Sequence, residues 1–365
     1  MAKPFNPKRL TVARKRRGLT KGALARDLPV SLRMVTAYES GEKEPGVVNL
    51  GKMAEALRFP TEFFFGPDLD EPPLEGSSFR ALSAMTARER SQAFGAGTLA
   101  LALSDWIEAR FSLPKPSVPM LRGIDDIEAA AMAVRSEWRL GQRPVRNMIH
   151  TLEAHGVRVF SLVEECRTFD AFSFWRGDVP YMFLNTVKTA ERSRMDAAHE
   201  LGHLCLHWRG GLHGREAESE AERFASFFLL PTADIKAQAP RRNCNLSDIV
   251  EAKHRWNVSA AALAYRMHKV GLLSKWRYRT LFVEISRLGY RTSEPEASKP
   301  EASKVFAKVF AALRAEGVTK GDLARQLSIL PEELDQLVFG LVLTPVVGAG
   351  DSLMDQGQRP ALTLI

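Results

Sequence analysis

Residues 18–41 read GLTKGALARDLPVSLRMVTAYESG, two short helical segments with a start signal in front of each. Thr20 precedes KGALARDL and Ser31 precedes LRMVTAYES, hydroxyls of the kind that accept from the free backbone N–H groups of a first helical turn. Gly41 follows the second segment, where left-handed backbone ends a helix. Ala25 is small enough for a close crossing and Val35 faces inward, so the pair reads as a helix-turn-helix whose second helix can enter a major groove. Working outward, Pro7 to Arg17 is a basic helix. Pro45 breaks the following loop, and Asn49 to Leu57 carries Leu50, Met53, Ala54 and Leu57 at helical spacing. Pro60 to Phe65 ends in three phenylalanines. An all-α domain over residues 1–66 is the expectation.

The same stretch recurs. Residues 317–340, GVTKGDLARQLSILPEELDQLVFG, align on it without a gap at a constant offset of 299, with nine identical positions including Thr20/Thr319, Lys21/Lys320, Ala25/Ala324 and Gly41/Gly340. A second helix-turn-helix-like module at 305–345 follows, before a tail at 346–365. The equivalent of its recognition helix carries Glu332, Glu333 and Asp335, the wrong sign for phosphates, so docking on protein is expected there rather than on DNA.

The whole chain has 365 residues, a size for two or three domains. Its 45% hydrophobic and 26% charged residues exclude collagen-like and disordered classes. The longest apolar run, AFGAGTLALAL from Ala93 to Leu103, is far short of the roughly 20 residues that span a bilayer, and the basic start of the chain has no apolar segment behind it. No membrane role and a cytoplasmic location are expected. Three scattered cysteines, Cys166, Cys205 and Cys244, form no disulfide framework. The net charge is +8, and Lys8, Arg9, Arg14, Lys15, Arg16, Arg17, Lys21 and Arg26 crowd the first thirty residues, which points to nucleic acid.

Between the two copies, residues 67–119 read as a linker (GPDLDEPPLEGS) and a helical connector. Residues 120–291 mix helical segments with strand-like runs at 157–163 and 181–185, an α+β domain. Residues 292–304 (TSEPEASKPEASK) read as a low-complexity linker.

Within the α+β domain, MDAAHELGHLCLH at 195–207 contains HExxH: His199, Glu200 and His203. Histidines four apart lie on one helical face and can clamp one Zn²⁺, and the adjacent Glu200 is placed as general base. The flanking Ala197, Ala198, Leu201, Leu204 and Leu206 suit a buried helix. Cys205 points off the histidine face, as a core residue does, and His213 sits in a glycine-rich loop. A third protein ligand is needed. The metzincin spacing would put a histidine at 209, which is Arg209, so that class is excluded. His207 lies one turn beyond the pair, on the pocket wall or behind a ligand. The acidic segment from Glu216 to Pro231 is the better source, and spacing alone does not choose among Glu216, Glu218, Glu220 and Glu222.

Two resemblances bear on these readings. Residues 9 to about 65 resemble the Cro/C1-type (XRE) helix-turn-helix family, through R-L-x-x-A-R, L-T-K-G-x-L-A, Y-E-S-G, Pro45 and L-x-x-F-P-T-E-F-F-F. The likeness implies double-stranded DNA as partner, a phosphate contact at Lys21, and base reading by Leu32, Arg33 and Thr36. Leu32 stands where a polar residue is often used, and Pro29 where glycine is common. From Asp125 to about Pro295 the chain resembles the ImmA/IrrE family of zinc metallopeptidases, gluzincin-like enzymes, through R-S-E-W-R-L-G, E-x-x-G-V-R-V, A-F-S-F-W, the HExxH segment, E-S-E-A-E-R-F-A-S-F-F-L-L-P and R-W-N-V-S. This likeness implies Glu218 as third ligand, with Glu220 as the alternative, and Glu222 orienting a ligand histidine.

The combined expectation is a mainly α, multidomain regulator. A DNA-binding domain is fused to a zinc endopeptidase that cleaves a repressor or antitoxin to control stress or mobile-element genes. The alternative is a transcription factor whose zinc domain is a sensor or structural module without turnover. A homo-oligomer is compatible with either.

Overall fold

A computed structural model describes residues 4–73, 86–121, 124–162, 171–208, 214–240 and 244–342. The readings of Cys166 and His213 and of the 346–365 tail lie outside the described residues. The protein is mainly α and multidomain, with one three-stranded sheet among the described residues.

The N-terminal helices are α1 (Pro7–Arg16), α2 (Lys21–Asp27), α3 (Leu32–Ser40) and α4 (Val47–Leu57), followed by a 3-10 turn at Thr61–Phe65. The capping signals act as their chemistry requires. Thr20 accepts from Ala23 N–H at 3.0 Å, Ser31 accepts from Met34 N–H at 3.2 Å, and Gly41 closes α3 at φ +78°. Leu10, Leu24, Val35, Met53, Phe63 and Phe64 are fully buried. Arg14 on α1 and Glu39 on α3 form a shielded two-point ion pair at 2.6 and 3.1 Å.

The apolar run of the connector lies in α5 (Ala87–Glu108), started by a capping box between Thr86 and Glu89. Its small residues have a packing reason. A side chain at Gly95 would stand 2.6 Å from the backbone of Arg16, so glycine is what lets α1 cross α5 closely.

The α+β region contains α6 (Ile127–Glu137), α7 (Met148–Ala154), β1 (Arg158–Ser161), β2 (Ala171–Arg176), β3 (Val179–Leu184), α8 (Ala190–Leu206), α9 (Arg215–Leu229), α10 (Thr232–Gln238), α11 (Leu246–Lys253), α12 (Ala260–Lys269) and α13 (Lys275–Arg287). The sheet order is β1-β3-β2, with β1 parallel and β2 antiparallel to β3. Phe160, Phe172, Phe174, Tyr181 and Phe183 stack across one face. Strand β2 joins the two expected runs and lies against α8. Its buried Ser173 interrupts the apolar pattern that marks a strand in sequence.

The segment 292–304 is bound to the domain rather than strung between domains. Glu294 accepts from Ala260 N–H at 2.7 Å and pairs with buried Lys253, and Ser298 N–H donates to Glu191. Glu301 pairs with Arg194 and accepts from Met148 N–H at the start of α7. Acids that look like solvated low-complexity sequence each find a cation or an unsatisfied helix start.

The C-terminal module comprises α14 (Lys304–Ala315), α15 (Lys320–Leu327) and α16 (Pro331–Val338). It packs inside the chain. Buried Glu333 pairs with Arg16 at 2.8 Å and with Arg17, Gln336 bonds Arg16, and Gln326 accepts from Trp106 and Arg110 on and after α5. The module thus packs on the N-terminal domain and connector of its own chain, and also on the α+β region, where the Thr186 hydroxyl donates to Phe339 C=O at 2.8 Å. No described helix is long and apolar enough to cross a membrane.

Candidate functional site

Helix α8 begins at a Thr189 cap and carries HExxH through its last two turns. One face holds Ala197, Ala198, Leu201, Leu204 and Cys205 in the core, which turns the histidine face toward α9. The glycine within HELGH suits this close packing: a side chain at Gly202 would meet the backbone of Ala221 and the ring of Phe224 at 3.2 Å, a tight fit. Phe224 and Phe228 bury the opposite stripe of α9 and bring its acidic turns over the histidines.

Nε2 of His199 and Nε2 of His203 stand 3.0 Å apart, and the Glu218 carboxylate lies 3.3 Å from the first and 3.6 Å from the second. Tetrahedral ligands at zinc bond lengths of about 2.0–2.1 Å stand roughly 3.3 Å from one another. The spacing fits a zinc ion, and two imidazoles with one carboxylate are a donor set that leaves an open position. Among the described residues, these three are the one such cluster. His203 is held well below the usual imidazole pKa by burial and by the neighbouring His199 and His207, so it stays neutral and able to ligate. His199 is half-buried, and desolvation lowers it, but Glu218, Glu200 and Asp196 together outweigh that and raise it.

Glu200 is buried at 2% exposure, and the Ser173 hydroxyl on β2 donates to its carboxylate at 2.7 Å. Ser173 was not among the sequence candidates. Its one signal is a hydroxyl inside the apolar run AFSFW. His207 sits at the end of α8, with Nδ1 3.0 Å from Nδ1 of His203 and Nε2 3.0 Å from the Glu220 carboxylate. Glu216 and Glu222 are exposed, and Glu222 makes no described hydrogen bond to these histidines. The carboxylate of α9 that reaches His207 is that of Glu220, not Glu222. Burial pushes the Asp196 carboxyl up to about 6 and the Cys205 thiol upward, as suits a core cysteine.

On the N-terminal domain, Leu32, Arg33 and Thr36 lie together on the exposed face of α3, while Val35 and Tyr38 face the core. The Thr36 hydroxyl donates to Leu32 C=O at 3.0 Å. Lys21, half-exposed at the start of α2, stands 3.3 Å from Glu39. Glu39, at the end of α3, thus links Lys21 to the helix that carries the other three, and Val47 and Val48 of α4 are also exposed.

The fold and the two sites define a protein that joins a helix-turn-helix domain to a metallopeptidase-like domain. The comparisons agree: residues 152–268 match the family model of the IrrE N-terminal-like domain, peptidase family M78, and residues 12–64 match a helix-turn-helix model. The chain is an N-terminal helix-turn-helix of XRE type fused to an ImmA/IrrE-type domain. No curated protein matches it.

Proposed function

We propose that this protein is a cytoplasmic DNA-binding regulator whose M78 domain is a zinc endopeptidase acting on a protein partner, a repressor or an antitoxin. The observation that carries the peptidase reading is the convergence of His199, His203 and Glu218 beside Glu200. His199, His203 and Glu218 would hold the ion. Zinc, when bound, supplies the Lewis acid for the scissile carbonyl and for water activation. Glu200 takes the proton of the attacking water and passes it to the leaving amine. Ser173 keeps the Glu200 carboxylate aimed, and the surrounding core excludes bulk water from it. Lys21 contacts phosphate, and Leu32, Arg33 and Thr36 face base edges.

Glu200→Gln tests the reading, because glutamine keeps the shape and both histidines but removes the proton acceptor. The variant should retain one zinc per chain and DNA binding, and should lose cleavage of the partner protein by at least about 10²-fold. If the variant regulates its target genes as the parent does, and no partner is shortened in either strain, the zinc domain is a sensor. If metal-replete protein holds no zinc, the ligand assignment fails.

A further inference from the structure

Behind the ligand set stands a second, ordered line of groups: Glu220, His207 and His203. Its geometry dictates where the protons are. The Nε2 of His203 faces His199 and Glu218, and to act as a ligand it must present a lone pair, so the ring proton sits on Nδ1. That Nδ1 stands 3.0 Å from Nδ1 of His207, which must then accept, leaving the His207 proton on Nε2. Nε2 of His207 stands 3.0 Å from the Glu220 carboxylate, a group that only accepts when ionised. Each tautomer is set by its outer neighbour, and the line has one direction.

We infer that Glu220 is a positioning residue of the metal centre, acting through His207 to hold His203 in the tautomer and ring orientation that ligation requires. The inference rests on the assignment of His199, His203 and Glu218 as ligands. It gives separate roles to two glutamates two positions apart on α9: Glu218 meets the ligand histidines at the site, and Glu220 supports one of them from behind. The His207 ring is shielded at 8% exposure, so water is a poor substitute for Glu220 there. Outer partners of ligating histidines raise their basicity and fix their orientation, and their loss typically costs about 10–100-fold in metal affinity.

The test uses the full-length chain. Zinc affinity is measured by competition with a chromogenic chelator, and the tautomers of His203 and His207 are read from ¹⁵N shifts in the zinc-free and zinc-loaded protein. Glu220→Ala should weaken zinc binding by about 10–100-fold and convert His207 from one tautomer to a mixture. His207→Ala should cost a similar factor, and the double variant no more than the worse single one, because both interrupt one line. Glu220→Gln, which keeps an acceptor oxygen, should restore most of the loss. Unchanged affinity with unchanged ¹⁵N shifts in Glu220→Ala overturns the inference, as does full additivity in the double variant. A parent chain that binds no zinc, or retains it after His199→Ala with His203→Ala, fails the ligand assignment instead. The zinc-free tautomer pattern then still reports on the line itself.

Discussion

The two helix-turn-helix copies, α1–α3 and α14–α16, share a frame and differ in what they show to the outside. Thr20 and Thr319 cap the second helix in both, Gly41 closes the third at φ +78° while Gly340 follows the Phe339 cap at φ +69°, and Val35 and Leu334 fill the same buried position. The shielded Arg14–Glu39 pair of the first copy corresponds to buried Leu313 and Val338 in the second, an ion pair exchanged for apolar residues, which protein interiors accept at little cost. The surfaces diverge further. Arg33 and Thr36 correspond to Glu332 and Asp335, and Asp335 binds Lys320, the counterpart of Lys21, at 2.5 Å. Met34 corresponds to Glu333, which turns to Arg16 and Arg17. One copy keeps a free face for phosphates, whereas the other has that face neutralised and its third helix spent on internal docking. Retained core positions preserve a fold; a handful of surface changes decide what it meets.

The largest effect expected from breaking this contrast is at Glu333. Replacing it with Ala removes the buried carboxylate that Arg16 and Arg17 share, which should cost about 3–5 kcal/mol, read as a drop in the denaturation midpoint. A loss within about 0.5 kcal/mol, as for an ordinary surface change, would mean that the second copy is not held by this contact.

Next is the way each copy starts. Helix α1 is capped by its own Asn6, which accepts from Lys8 N–H. At α14 the cap Ser303 is joined by Glu153 of α7, which accepts from the Ser303 hydroxyl and from Lys304 N–H. Burial raises the Glu153 carboxyl to about 7. The folded protein therefore binds this proton more tightly than the unfolded chain. Its contribution to stability is complete below the ordinary carboxylate range, is lost as pH rises through about 7, and is constant above. The span is on the order of 3 kcal/mol. Urea midpoints of Glu153→Gln measured from pH 5 to 8 should lack this component, and a variant with the parent's pH slope would assign it elsewhere.

The smallest effects separate the two outer faces. Arg33→Ala should weaken binding to the preferred DNA sequence by about 1–3 kcal/mol, and Lys21→Ala should weaken all sequences alike and lower the salt slope by about one. Glu332→Ala, at the position equivalent to Arg33, should change affinity less than twofold. Gel-shift titrations at two salt concentrations distinguish these cases, and equal losses in the two copies would erase the contrast.

Much of the site was legible because helical periodicity is local. His199 and His203 share a face by spacing alone, and Glu200 follows from the motif. The caps at Thr20, Ser31 and Thr319 and the closing Gly41 are also short-range signals, and they form as expected. Ser173 was hidden because a hydroxyl in an apolar strand acquires meaning only when that strand lies against α8. The segment 292–304 was misleading for a related reason: composition resembles a tether, while its acids are held by Lys253, Arg194 and the start of α7, residues far away in the chain.

The four glutamates of α9 show where the boundary falls. Sequence alone determined that a carboxylate from this acidic helix was the natural partner of two histidines, since a zinc-type site needs a third ligand. Packing decided which one lies nearest to them. Gly202 allows α9 to approach α8, and with Phe224 and Phe228 anchoring the rotation of α9, Glu218 comes to the Nε2 atoms of His199 and His203, Glu220 to His207, and Glu216 and Glu222 face solvent. The same division holds for the repeat. Chain order and charge made the second copy a poor match for DNA, but its contact with Arg16 joins residues more than three hundred positions apart, and such a pairing exists only once the intervening domain has folded and brought them together.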